Sequence, residues 1–138
     1  MNKALKNISL EDLKAIAEEI AAGLKVGDVV CLEGDLGAGK TAFAGFLINS
    51  LLEKQEVITS PTFNLVHTYD TRIGKIWHFD MYRLKTPQEA YELGLEDALA
   101  HGVSIIEWPQ NLGDLLTSCP KLVINLKNDE VTSFSINY

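Results

Sequence analysis

Regular patterning begins at "SLEDLKAIAEEIAAGL", where Leu13, Ile16, Ala17, Ile20, Ala21 and Leu24 recur at helical spacing and share one face. Ser9 and Asp12 have the spacing of a capping box, and Gly23 suits the helix exit. After "VGD", Val29, Val30, Cys31 and Leu32 form a continuous apolar run, as a short strand covered on both faces would. From Lys40 to about Leu52, "KTAFAGFLINSLL" is apolar around most of its circumference, which predicts a helix packed deep beside a sheet. "SPT" then interrupts regular structure. "FNLVHTY" and "KIWHFDMY" read as two strands joined by the turn-rich "DTRIG", a β-hairpin over about Asn64 to Asp80. "TPQEAYELGLEDALAHG" predicts one or two short helices, with Pro87 at the opening and Gly94 as a break. "VSIIEWP" is a second buried strand ended by Pro109. "PKLVINL" and "VTSFSINY" read as strands around a polar turn, "KNDE", the last alternating Val131, Ser133, Ser135 and Asn137 against Thr132, Phe134, Ile136 and Tyr138. Together these elements predict an α/β fold: a mixed, mainly parallel sheet flanked by helices and carrying an antiparallel hairpin.

Composition narrows this picture to one unit, because 138 residues with 46% hydrophobic content suffice for a single cored domain over residues 1–138. The net charge of −7, with Arg72 and Arg83 the only arginines, disfavours extended contact with a polyanion. Cys31 and Cys119 fit no C-x-x-C or zinc spacing. "MNKALKNISLEDL" lacks the apolar core of a signal peptide, and no apolar run approaches the roughly 20 residues of a membrane helix. A soluble chain in the reducing cytoplasm, without membrane contact, is the expectation.

The strongest chemical signal is "CLEGDLGAGKTAF", which contains G-x-x-x-x-G-K-[ST] between the first buried strand and the apolar helix. Gly34, Gly37 and Gly39 permit positive φ and close backbone approach, so that successive N–H groups converge on an anion. Lys40 brings a point charge to the outer phosphates and Thr41 a hydroxyl to Mg²⁺, at the positive end of the helix. Such a loop needs an acid at a neighbouring strand end. Asp80 ends "KIWHFD" and Glu107 ends "VSIIE", and spacing alone leaves both open, for metal, for water or for an ordinary cap. His67, His78 and His101 show no zinc-like pairing and read as partly exposed strand or loop residues. The hydroxyls of "TSPT", Thr59 to Thr62, stand where a nucleotide-sensing segment could lie, although Ser-Pro-Thr is also ordinary loop punctuation.

Three kinds of P-loop protein compete. A small-molecule kinase encloses both substrates, usually with several arginines and a lid, and this chain offers two arginines and no lid-sized insertion. A GTPase reads guanine with Asn-Lys-x-Asp, which "LKNDE" does not match. An ATPase coupled to a partner protein fits the sparse inventory, with the metabolite kinase as the alternative.

"GDLGAGKT", "SPTFNLVHTY", "HFDMYRL", "ELGLED" and "IIEWP" follow one another over most of Gly34 to Pro109. In that order they resemble the TsaE family, formerly YjeE, the bacterial ATPases of tRNA threonylcarbamoyladenosine biosynthesis. The resemblance implies a single-domain P-loop NTPase that binds ATP and Mg²⁺ and acts on the partner proteins TsaD and TsaB, supporting their turnover without transferring the threonylcarbamoyl group itself. Contact with tRNA would come only through the assembled complex. Carried over by position, Gly37, Ala38, Gly39, Lys40, Thr41 and Ala42 would hold the phosphates, Thr41 and Glu107 would ligate Mg²⁺, and Lys40 and Asp80 would serve hydrolysis. Trp108 would be a site-adjacent aromatic, and adenine contacts would come partly from the region near Ser9. Ala42 departs from the family's second threonine at that position, without touching the Thr41 hydroxyl.

Overall fold

Ser9 ends a short strand and starts a helix. In the computed structural model, which describes residues 3–130 and 133–138, β1 (Ala4–Ile8) leads into α1 (Leu10–Ala22). The capping box forms as its spacing predicts: Asp12 N–H donates to Ser9 Oγ at 3.1 Å, and Ser9 N–H donates to Asp12 Oδ2 at 3.0 Å. Leu13, Ala17 and Ala21 are buried along the inner face of α1, and Gly23 caps its end with an ordinary right-handed backbone. β2 (Val29–Glu33) is buried throughout its apolar run and feeds the loop before α2 (Lys40–Leu51). The hairpin follows as β3 (Val66–Thr71) and β4 (Gly74–Asp80), in the register Val66 opposite Phe79 through Thr71 opposite Gly74. Gly94, at φ 94°, divides two short helices, α3 (Glu89–Glu92) and α4 (Leu95–His101). β5 (Val103–Glu107) is buried at every position, and a 3₁₀ segment (Pro109–Leu116) leads to β6 (Leu122–Glu130) and β7 (Ser133–Asn137).

The seven strands form one sheet in the order β1-β7-β6-β2-β5-β4-β3. The middle four, β6, β2, β5 and β4, are parallel, and antiparallel partners flank them on both sides. Each face has its own core. Phe43, Leu47 and Ile48 of α2 and Leu13 and Ala17 of α1 pack against Val30, Leu32, Ile76 and Ile105. Ala90, Leu95, Ala98, Leu112 and Leu116 cover Val29, Cys31, Phe79 and Ile106 on the other side. Covering both faces explains why β2 and β5 read as unbroken apolar runs.

One sequence expectation is corrected, and one strand is added. "KNDE" is not a turn: it continues β6, where Lys127 pairs with Ser135 and Asn128 with Phe134, with an irregularity before Glu130. This stretch has β7 as its ladder partner and its side chains are exposed, so polar residues occupy it without cost; Ser135 Oγ donates to Asp129. Val131 and Thr132 of the expected alternation lie outside the described residues. β1 has no counterpart in the sequence reading. Its five residues carry no alternation and are mostly exposed, and it is held by pairing with β7, as in Ala4 opposite Asn137.

Among the described residues no helix is long and apolar enough to cross a membrane. Cys31 lies within the sheet, 1% exposed, and burial pushes its thiol up to about 12, whereas Cys119 is partly exposed. At pH 8 iodoacetamide is therefore expected to modify Cys119 alone in the native protein and both cysteines after unfolding, read by intact mass. Native labelling of Cys31 at a comparable rate would contradict the packing of β2.

Candidate functional site

β2, β5 and β4 run parallel, so their C-terminal ends share one edge of the sheet with the N-terminus of α2. Such an edge is where ligands of open α/β sheets bind. The loop leaves β2 at Gly34 (φ 149°) and turns through Gly37 (φ 80°) and Gly39 (φ 101°) into α2. Gly34 is also a contact point, because a Cβ there would lie 2.4 Å from the carbonyl oxygen of Leu126 in β6. Glycine thus satisfies both the backbone angle and the close approach.

Lys40 is only 4% exposed. Its ammonium donates to the carbonyl oxygens of Gly34 at 2.5 Å and Asp35 at 2.8 Å, and it lies 4.3 Å from the centre of the Trp108 ring. Burial lowers the Lys40 pKa, while the Glu107, Asp80 and Asp35 carboxylates pull it back up. Thr41 Oγ donates to Glu107, 3.0 Å from Oε1 and 3.3 Å from Oε2. With its hydrogen committed there, the hydroxyl keeps its lone pairs for another group.

Asp80 and Glu107 are register partners across β4 and β5, and both are nearly buried. Asp80 accepts from Ser60 Oγ at 2.5 Å and from the Tyr82 N–H at 3.0 Å. The two acids that spacing left in competition therefore stand side by side. They line one cleft of about 480 Å³ together with residues 36–42, Ser60, Thr62, Tyr82, Arg83 and Trp108. The structure thus gathers Gly37, Ala38, Gly39, Lys40, Thr41, Ala42, Asp80 and Glu107 in one place. Ser60 and Thr62 of "TSPT" join them. Ser9 is not among the residues lining the cleft, and its hydroxyl and N–H form the α1 cap. A cavity of similar size, about 510 Å³, lies at the opposite edge of the sheet beside Ile20, Leu24, Val29 and Leu122, away from all of these residues.

The donor set suits magnesium bound together with phosphates. Thr41, Glu107 and Asp80 offer hard oxygen atoms, and a magnesium site needs one or two carboxylates when phosphates and waters supply the rest. Among the described residues no cluster of three or more His, Cys, Asp and Glu side chains forms an all-protein metal cage. The glycine-rich loop and the N-terminus of α2 provide the complementary cradle of N–H groups for an anion.

His78 was misread as partly exposed. It is fully buried, and its Nε2 lies 2.6 Å from Glu107 Oε2. The signal was period-two parity: His78 shares a strand face with Asp80, and its register partner Ile105 shares one with Glu107. Tyr82 and Arg83 also reach the cleft without having been singled out. Tyr82 packs against Trp108 with ring centres 4.8 Å apart, and Arg83 lies over Phe63. Trp108 itself has left-handed backbone angles (φ 58°, ψ 51°), which turn the chain sharply after Glu107.

A strand, a glycine-rich loop and a helix, with acids at the ends of two adjacent parallel strands, define an α/β protein of the P-loop class. Residues 8–135 match the model of the family described as "Threonylcarbamoyl adenosine biosynthesis protein TsaE". The chain belongs to the TsaE family. It is similar to the Rickettsia prowazekii tRNA threonylcarbamoyladenosine biosynthesis protein TsaE, with 46% identity over 119 residues, 86% of this chain and 82% of that protein. The TsaE of Aquifex aeolicus is 40% identical over 103 residues, 74% of this chain and 73% of its own length. Among solved structures, Bacillus subtilis YdiB superposes with a TM-score of 0.76 at 30% identity, covering 99% of this chain and 84% of its own.

The Gly34 contact generates a direct test. Gly34→Ala is expected to destabilise the fold by about 1–3 kcal/mol, because it combines an unfavourable φ with a clash against backbone. Urea unfolding measures this, and an unchanged midpoint would contradict the close approach of the loop to β6.

Proposed function

We propose that this chain is a Mg²⁺-dependent P-loop ATPase of the tRNA threonylcarbamoyladenosine modification system, acting on the partner proteins TsaD and TsaB to support their turnover. The observation that carries the reading is the convergence of Lys40, Thr41, Asp80 and Glu107 in one cleft at the N-terminus of α2. Membership of the TsaE family supplies the biosynthetic setting.

In this reading the N–H groups of the loop through Ala42 cradle the phosphates, and the Lys40 ammonium exchanges its loop carbonyls for phosphate oxygens. Thr41 and Glu107 would hold Mg²⁺, which when bound neutralises charge on the outer phosphates. Asp80 is held by Ser60 and the Tyr82 N–H, and its carboxylate faces the cleft, where it orients a water and accepts its proton. Lys40 then stabilises the charge that develops on the departing phosphate oxygens.

Two observations favour a partner-coupled ATPase over a metabolite kinase. Of the two arginines, Arg72 is structural, donating from Nη2 to Ser50 O at 2.5 Å and from Nε to Leu51 O at 3.3 Å, which leaves Arg83 alone at the cleft. Exposed apolar side chains, Leu36, Phe63 and Tyr82, stand on or beside the cleft lining, as suits a site completed by another protein. The overall charge of −7 favours tRNA contact through the assembled complex over contact by this chain alone.

The test is threonylcarbamoyl transfer to tRNA over many turnovers, reconstituted with TsaB and TsaD, alongside ATP hydrolysis. We expect slow hydrolysis by the chain alone, stimulation by the partners, and loss of sustained transfer when the chain is omitted or carries Lys40→Ala. Asp80→Asn is expected to lower kcat by about 10²–10⁴-fold while leaving ATP affinity near wild type. Transfer that proceeds equally well without the chain would remove the biosynthetic role, and robust phosphorylation of a small acceptor from a metabolite panel would favour the kinase.

A further inference from the structure

His78 is a buried polar residue at this edge of the sheet that belongs neither to the loop nor to the acid pair. It lies in β4 on the face covered by α2, among Ile76, Ile105 and their apolar neighbours, with no exposed surface. An apolar side chain would occupy such a position at lower cost, since a buried polar ring must find partners. Among the described residues the ring has a single polar contact: Nε2 meets Glu107 Oε2 at 2.6 Å, and Nδ1 has no hydrogen-bond partner. A carboxylate can only accept, so Nε2 carries the hydrogen and donates it. Glu107 is thus held from two sides. His78 takes Oε2 from below, within the core, while the Thr41 hydroxyl reaches the carboxylate from α2, nearer to Oε1 than to Oε2.

We infer that His78 is a positioning residue: its Nε2–H fixes the rotation of the Glu107 carboxylate so that Oε1, beside Thr41, is presented to the cleft. Ligands of metal ions are commonly oriented by a hydrogen bond from a residue that never touches the metal, and losing such a partner costs about 10–100-fold in metal affinity. The inference rests on the reading of Glu107 as a magnesium ligand. A histidine serving only to satisfy a buried carboxylate would affect folding stability and leave magnesium dependence intact, which separates the two roles.

The experiment measures ATP affinity of the purified chain by calorimetry in excess Mg²⁺ and in EDTA. The ratio of the two is the readout, for wild type, His78→Leu, His78→Gln, His78→Asn and Glu107→Gln, each checked for a wild-type circular dichroism spectrum. The Gln amide reaches about as far as Nε2, whereas the Asn amide reaches only as far as Nδ1. His78→Leu and His78→Asn are expected to lose about tenfold or more of the magnesium enhancement with affinity in EDTA unchanged. His78→Gln is expected to recover most of it. If His78→Leu does not fold, the Gln and Asn pair, both polar and similar in size, decides the matter. Wild-type magnesium enhancement in His78→Asn, with the enhancement lost in Glu107→Gln, would overturn the positioning role alone. Full enhancement in Glu107→Gln would overturn the metal reading and this inference with it.

Discussion

The parallel pairing of β2, β5 and β4 is the constraint on which the rest of the site depends. Leu32 of β2 stands opposite Glu107 of β5, and Glu107 stands opposite Asp80 of β4, so three strands end level with one another. A slip of one residue would send both carboxylates to the other face, away from α2. The register is held by burial on both sides, with Ile76, Ile105, Val30 and Leu32 facing α1 and α2, and Phe79, Ile106 and Cys31 facing the opposite helices. Backbone bonds beyond the ladder reinforce it, since the Met81 N–H donates to the Glu107 carbonyl at 3.0 Å. The geometry of this edge is in this sense a consequence of core packing.

Charge balance at that edge follows from the same geometry. Burial of Lys40 disfavours its ammonium form, and the adjacent Asp80, Glu107 and Asp35 carboxylates oppose that effect. The lysine in turn offsets the repulsion between two acids fixed side by side. Neighbouring hydroxyls and N–H groups share this work: Ser60 and Tyr82 hold Asp80, and Thr41 and His78 hold Glu107. A buried polar cluster of this kind is stable only when nearly all of its members are satisfied, which gives each of these small contacts weight in both folding and function.

Much of this was legible in the sequence, for physical reasons that differ by element. The loop, α1, α2 and the buried strands β2 and β5 announce themselves because their patterns are dictated by burial on one face or on both. Asp80 and Glu107 were visible as acids ending apolar strands, but which of them served the loop could not be decided, because the pairing that sets them side by side lies between residues 27 apart in the chain. His78 was legible in parity but not in burial, because a histidine carries no hydropathy signal that distinguishes a core position from an exposed one. β1 and the far end of β6 were hidden for the opposite reason: they are mostly exposed segments held by backbone pairing with β7, and "KNDE" has the composition of a turn while occupying a strand. Tyr82 and Arg83 reach the cleft through the irregular backbone after β4, which no periodicity encodes, whereas Trp108, expected beside the site from the family resemblance alone, lines it just after β5.

The central claim is that the β2–α2 loop and the ends of β4 and β5 form a single site for ATP with magnesium. A crystal structure of the chain with Mg²⁺ and a non-hydrolysable ATP analogue tests it most directly. The account requires the phosphates to lie against the N–H groups of residues 37–42, Lys40 to have left the Gly34 and Asp35 carbonyls, and metal density to stand beside Thr41 Oγ and Glu107. An analogue seated at the opposite edge of the sheet, or a metal bound away from both residues, would contradict it.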